Sequence, residues 1–211
     1  MGERGKFVAV YGMNNTGKST VAKGVTWVLD RSGVEVKYLK YPIYESPTGR
    51  RINDYLRCGN PQNLSPEGAQ VLYAENRRQF EPVLRGFLDG GISIIAEDYK
   101  GTGICWGQIF DVPLERLEAY NEDLLEPDMS MLLDGKRFSK GVEVNHKHEG
   151  VPDEMWEKGR RIHQAMAARY SWRVVRSDQS VEQVLTDVLL VIDSELALGD
   201  LKVRGLIKNG R

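Results

Sequence analysis

The eight residues Gly12-Met13-Asn14-Asn15-Thr16-Gly17-Lys18-Ser19 constrain this chain more than any other stretch. They match G-x-x-x-x-G-K-[ST] at every specified position. Such a loop works between a buried strand and a helix. Its glycines let the backbone curl so that successive N–H groups point inward, and the helix adds the positive end of its dipole. The flanks comply: residues 6–11 form a short β-prone run that breaks at Gly12, and a helical pattern begins at Lys18. The nest from Gly12 to Thr20 suits the phosphates of ATP, with Lys18 reaching the β- and γ-phosphates and the Ser19 hydroxyl a ligand for Mg²⁺.

Strand and helix signals alternate along the remainder. A second strand is predicted over 34–40, after the Ser32-Gly33 turn. Ser65 caps a long helix with Pro66 at its first position, running to about Leu88, bent at Pro82 and ended by Asp89-Gly90-Gly91. Residues 92–96 form a third strand, apolar enough to be buried on both faces. A helix over 114–124, a strand over 129–133, a helix over 154–170, a strand over 173–175 and a helix over 181–196 capped by Ser180 complete the series. This order predicts a three-layer α/β/α sandwich with a short parallel sheet, one domain over 1–211. Two segments stand outside the scheme. Residues 135–151 lie between a strand and a helix, where phosphotransferases place mobile lids. Residues 197–211 form a basic tail, with Lys202, Arg204, Lys208 and Arg211 and no acid beyond Leu201.

Charge and composition narrow the partners. The net charge is −1, without the basic excess that binding a nucleic acid polymer requires. The longest aliphatic run, 188–192, is far short of the roughly 18 residues of a membrane span. The first residues lack a signal-peptide core, so a cytoplasmic location is expected. Cys58 and Cys105 are too isolated for a disulfide framework or a zinc site. His146 and His148 form His-x-His, but metal sites need three or four converging ligands. They are expected in a solvated loop. The GTP-reading Asn-Lys-x-Asp sequence is absent, and the chain is short for a motor ATPase, which favours a small kinase.

Four further blocks, in order, resemble thymidylate kinases over residues 6–192. Lys40-Tyr41-Pro42 with Gly49-Arg50-Arg51-Ile52 is similar to the family's Arg-Phe-Pro block and downstream glycine. Leu72-Tyr73-Ala74-Glu75-Asn76-Arg77 is similar to its aromatic-x-Ala-Asn-Arg helix segment. Glu97-Asp98-Tyr99-Lys100-Gly101-Thr102-Gly103 stands in the place of Asp-Arg-Tyr-x-x-Ser-Gly, and Glu126-Pro127-Asp128 leads into the fourth strand. The resemblance implies ATP and dTMP as substrates, Mg²⁺ as cofactor, a homodimer, and a nucleoside monophosphate kinase fold. Tyr73 and Arg77 share a helix face, where a ring and a guanidinium can stack on a flat base and bond its edge. The resemblance assigns them thymine; the alternative is a core tyrosine and a surface arginine. Glu97 and Asp98 end a buried strand, where a carboxylate holds Mg²⁺ or positions the acceptor, or merely opens a loop. Tyr99, Thr102 and Gly103 either shape the wall around the acceptor sugar or are simple loop chemistry.

Three positions depart from the family pattern. Asp98 replaces the arginine of Asp-Arg-Tyr, Asn14 stands where many members have Asp, and Tyr44 stands where some have a phosphate-binding arginine. The missing charge must come from elsewhere. Arg50 or Arg51 could supply the acceptor side, and Arg137 could swing in from the lid as an arginine finger in cis. The rival readings are a deoxyribonucleoside kinase, with Glu45 or Glu97 as base, and a non-catalytic nucleotide-binding switch.

Overall fold

β1 (Phe7–Tyr11) is buried at all five positions and forms the centre of the molecule. Its odd and even residues feed two different cores. Val8 and Val10 pack with Val25 and Leu29 of α1 (Lys18–Arg31) and with Val188 and Ile192 of α7 (Val181–Leu196). Phe7, Ala9 and Tyr11 pack on the other side with Leu84 and Leu88 of α3 (Pro66–Asp89). A strand covered on both faces needs no polar alternation, which is why its sequence is continuously apolar. β3 (Ser93–Glu97) is buried throughout for the same reason. The computed structural model describes residues 3–138 and 145–198.

Three more strands, β2 (Val36–Lys40), β4 (Met129–Asp134) and β5 (Arg173–Arg176), complete a five-stranded sheet in the order β2-β3-β1-β4-β5. Every pairing is parallel. The carboxyl ends of β1, β3 and β2 therefore open side by side on one edge, delivering Gly12, Glu97-Asp98 and Lys40-Tyr41. Lys40 pairs in register with Glu97, and Val10 with Glu97 on the other side.

Two helices were not anticipated: α2 (Pro47–Arg57) and α4 (Lys100–Ile109). Ser46 caps α2 by accepting a hydrogen bond from Gly49 N at 3.0 Å, with Pro47 behind it. α5 (Leu114–Ala119) stops short of the expected Leu124. Asn121 Nδ2 donates to Leu117 O at 2.8 Å, taking the carbonyl that a continuing helix would use. α6 (Asp153–Arg169) packs on α4, and Gly159 is where the two helices touch: a Cβ there would meet Ile109 Cδ1 at 2.7 Å. No helix among the described residues is long and apolar enough to cross a membrane.

Candidate active site

The loop between β1 and α1 folds as a phosphate cradle. Gly12 and Gly17 take φ of 150° and 92°, a region that favours glycine. A Cβ at Gly12 would stand 2.7 Å from Leu133 O. Thr16 Oγ1 donates to Met13 O at 2.9 Å and holds the turn. No side chain caps α1 at Gly17, so the helix N-terminus presents its first N–H groups to the loop's hollow. Lys18 is buried and curls over the loop, donating to Gly12 O at 2.9 Å and Met13 O at 3.1 Å. Asn14, Asn15, Thr16, Gly17, Ser19 and Thr20 all line the adjoining cleft. Met13 does not: its side chain is buried beneath the loop with Trp106 and Trp156, so it serves the cradle through its backbone alone.

Carboxylates face the cradle from the end of β3. Ser19 Oγ donates to Glu97 Oε1 at 2.6 Å, and Lys40 Nζ lies 3.0 Å from the same oxygen. The Tyr38 hydroxyl donates to Glu97 Oε2. Burial pushes the Glu97 carboxyl up, but Lys40, the Ser19 and Tyr38 hydroxyls and Lys18 together hold it below its ordinary value. Glu97 is therefore ionised beside a hydroxyl, an all-oxygen donor pair of the kind a hard divalent cation takes. Asp98 behaves in the opposite way: burial, reinforced by Glu97, raises it against the pull of Lys18, whose Nζ is 3.9 Å away. It sits at φ 64° and accepts from Thr102 Oγ1 at 2.7 Å.

Cradle and carboxylates open into one cleft of roughly 700 Å³ that continues to α2 and α3. Tyr41, Pro42, Tyr44, Tyr73, Arg77, Thr102 and Gly103 line it, as expected. Arg77 is buried, which lowers its pKa, and among the described residues no carboxylate pairs with it. Asn121 Oδ1 accepts from its Nη1 at 3.1 Å, so the early end of α5 serves to aim this guanidinium. Asn76, buried beside it, bonds Ile43 N at 2.8 Å and Ile43 O at 3.0 Å, fixing the loop after Pro42.

Other expected residues lie elsewhere. Tyr99 is fully buried in the core beneath the cleft, in an edge-on contact with Phe7 at 5.0 Å, and forms none of its wall. Arg50 is exposed on α2 and outside the cleft, whereas Arg57, on the same helix, lines it with its guanidinium over the Tyr44 ring at 4.9 Å. Sequence reading missed Arg57, though its spacing from Arg50 is two helical turns once α2 is recognised. Arg137 is not brought to the cleft wall either. Its guanidinium donates to Val151 O at 3.0 Å and to Glu149 O, and lies 3.5 Å from Asp153. Lys140 falls outside the described residues.

The histidines overturn the expectation of a solvated loop. His148 is buried, stacked on Trp106 with centroids 4.1 Å apart and planes 11° apart, and both it and His146 line the cleft. Burial brings the His148 pKa down to about 3, so its ring is neutral. No gathering of three or more His, Cys, Asp or Glu is found among the described residues.

A family model described as Thymidylate kinase matches residues 10–188. The chain belongs to the thymidylate kinase family. It is 22% identical over 197 residues to thymidylate kinase of Dictyostelium discoideum, covering 92% of this chain and 87% of that one. Against that of Plasmodium falciparum it is 25% identical over 195 residues, covering 89% of each. The human thymidylate kinase is 20% identical, covering 96% of each chain. The solved structure of Candida albicans thymidylate kinase superposes with a TM-score of 0.77 at 22% identity, over 92% of this chain and 93% of that one. Membership makes this chain an ATP-dependent nucleoside monophosphate kinase, and its cleft has the two-ended form such an enzyme needs.

Proposed function

We propose that this chain moves the γ-phosphoryl group of ATP onto the 5′-phosphate of dTMP, giving dTDP. One observation carries the reading. A single cleft takes in the phosphate cradle with Lys18, the carboxylates Glu97 and Asp98, and the Tyr73–Arg77 face of α3. Phosphoryl transfer asks little covalent help of a protein, so catalysis here is positioning and charge stabilisation.

The cradle N–H groups and Lys18 hold the donor phosphates, and the Lys18 ammonium exchanges loop carbonyls for phosphoryl oxygens as charge builds. Ser19 and Glu97 would hold Mg²⁺, which when bound neutralises β- and γ-oxygens. The attacking oxygen belongs to a phosphate already ionised at neutral pH, so no general base is needed. Arg57, above Tyr44, supplies acceptor-side charge where the family's arginine is missing. Tyr73 stacks on the base and Arg77 bonds its edge. A coupled assay with ATP and a panel of nucleosides and monophosphates tests this. dTMP should turn over fastest, and turnover of thymidine with none of dTMP would overturn it.

A further inference from the structure

Two residues of α3 that line the cleft each carry a buried polar atom with no hydrogen-bond partner among the described residues. Gln70 and Arg77 are each 4% exposed, and among the described residues Gln70 Oε1 and Arg77 Nε have no hydrogen bond. An unsatisfied buried carbonyl is costly, and natural proteins retain few of them. Gln70 lies two helical turns before Arg77 and one before Tyr73, so the three share a face.

Gly103 shows what lies between them. A Cβ built there would stand 2.8 Å from Arg77 Nη2 and 3.2 Å from Gln70 Oε1. Carbonyl and guanidinium thus flank one small space that the glycine keeps open. Turning the Gln70 amide round would set its NH₂ beside Arg77, donor against donor, so the guanidinium favours the carbonyl facing it.

We propose that Gln70 is a specificity-determining residue that reads the N3 position of the acceptor base. This rests on the proposed dTMP kinase reading. An acceptor beside a donor complements a base edge with a donor beside an acceptor. Thymine presents N3–H next to O4: Gln70 Oε1 accepts from N3–H while Arg77 donates to O4. Cytosine presents the reverse, a lone pair at N3 next to an amino group, and opposes like to like at both contacts. Discrimination then comes from unpaired polar groups as much as from new bonds.

The test compares kcat/KM for dTMP and dCMP in the wild type and in Gln70→Met, a near-isostere that cannot accept. Binding of dTMP and of its N3-methyl derivative to the wild type is measured alongside by calorimetry, a readout independent of the variant's folding. The dTMP:dCMP ratio should fall about 10- to 100-fold in Gln70→Met with ATP KM unmoved, and the N3-methyl derivative should bind at least about tenfold more weakly. A folded Gln70→Met that keeps the ratio within about threefold, or equal binding of the two ligands, overturns the assignment. Absence of any wild-type turnover of dTMP would overturn the proposed function itself. Good dTMP turnover with an unchanged ratio would remove Gln70 alone.

Discussion

Ser19 and Glu97 are 78 positions apart in the chain, and the Ser19 hydroxyl donates to Glu97 Oε1 at 2.6 Å. The P-loop and the end of β3 are thus joined at one oxygen pair, with Lys40 and Tyr38 completing the shell of Glu97. Removing a group that holds or aims a metal lowers metal affinity. Glu97→Ala is therefore expected to raise the Mg²⁺ concentration for half-maximal activity by about 10- to 100-fold. A Mg²⁺ titration at saturating substrates measures it. An unmoved midpoint would make Glu97 a strut for Lys40 and no more.

Lys18→Ala should lower kcat by about 10²- to 10³-fold in a protein that melts like the wild type. The ammonium now satisfied by Gly12 O and Met13 O is the cation nearest the cradle, and its charge matters most as the phosphoryl group transfers. Steady-state kinetics with matched thermal melts decide this, and near-normal turnover removes the P-loop from the mechanism.

Tyr73→Ala and Arg77→Ala should each weaken acceptor binding by about 1–3 kcal/mol and leave the ATP KM nearly unchanged. Both line the cleft where the acceptor is proposed to bind, and Arg77 is buried without a carboxylate among the described residues. Initial-rate kinetics with each substrate varied in turn separate the two ends. A rise in ATP KM equal to that for the acceptor would show a general loss of structure.

Much of this was legible in the sequence, and what was not has physical causes. The strands and the caps Ser65 and Ser180 read directly, because buried runs and cap chemistry are local. α4 did not. Gly101, Gly103 and Gly107 within eight residues look like a loop, yet each is there because something packs against it. A Cβ at Gly101 would meet Trp172 at 2.7 Å, and one at Gly107 would meet the Leu117 side chain at 2.3 Å. Only tertiary context makes such glycines helical. α2 was hidden by its glycine and charges although Ser46-Pro47 repeats the signal of Ser65-Pro66. The P-loop and the Tyr73–Arg77 face were read because each lies within one local pattern. Arg57, His148 and Gln70 were missed because their places in the cleft depend on segments far apart in the chain.

Two buried histidines should make stability fall in mild acid. Burial brings His163 to about 4 and His148 to about 3, from an ordinary 6.5. The unfolded chain binds protons that the native state refuses, so stability is full above pH 6.5 and declines as pH falls toward these lower values. Between pH 6.5 and about 5 each histidine should cost roughly 2 kcal/mol. Urea midpoints near pH 7.5 and about pH 5 measure the slope. His163→Gln, which keeps a donor for Gly159 O, should flatten it, and an unchanged slope would show that other groups set the acid limb.

Arg137 separates two accounts of the segment before α6. As an arginine finger it would lower kcat and spare both KM values. The structure gives it other work: it bonds the carbonyls of Glu149 and Val151. Glu149 Oε2 in turn accepts from Asn15 Nδ2 at 2.7 Å, and Lys147 N donates to Leu56 O at 2.9 Å. The strap that Arg137 braces therefore touches the phosphate cradle and α2, the helix that carries Arg57, together. Losing a charged donor from two carbonyls costs about 1.5–3 kcal/mol per bond, enough to free the strap. Arg137→Ala is expected to raise the KM of both ATP and acceptor about tenfold with a smaller fall in kcat. Asn15→Ala, which cuts the same strap from the cradle, should reproduce the ATP effect. A large kcat loss with both KM values unmoved would instead place Arg137 on the transferring phosphoryl group in the closed enzyme, and Asn15→Ala would then fail to mimic it.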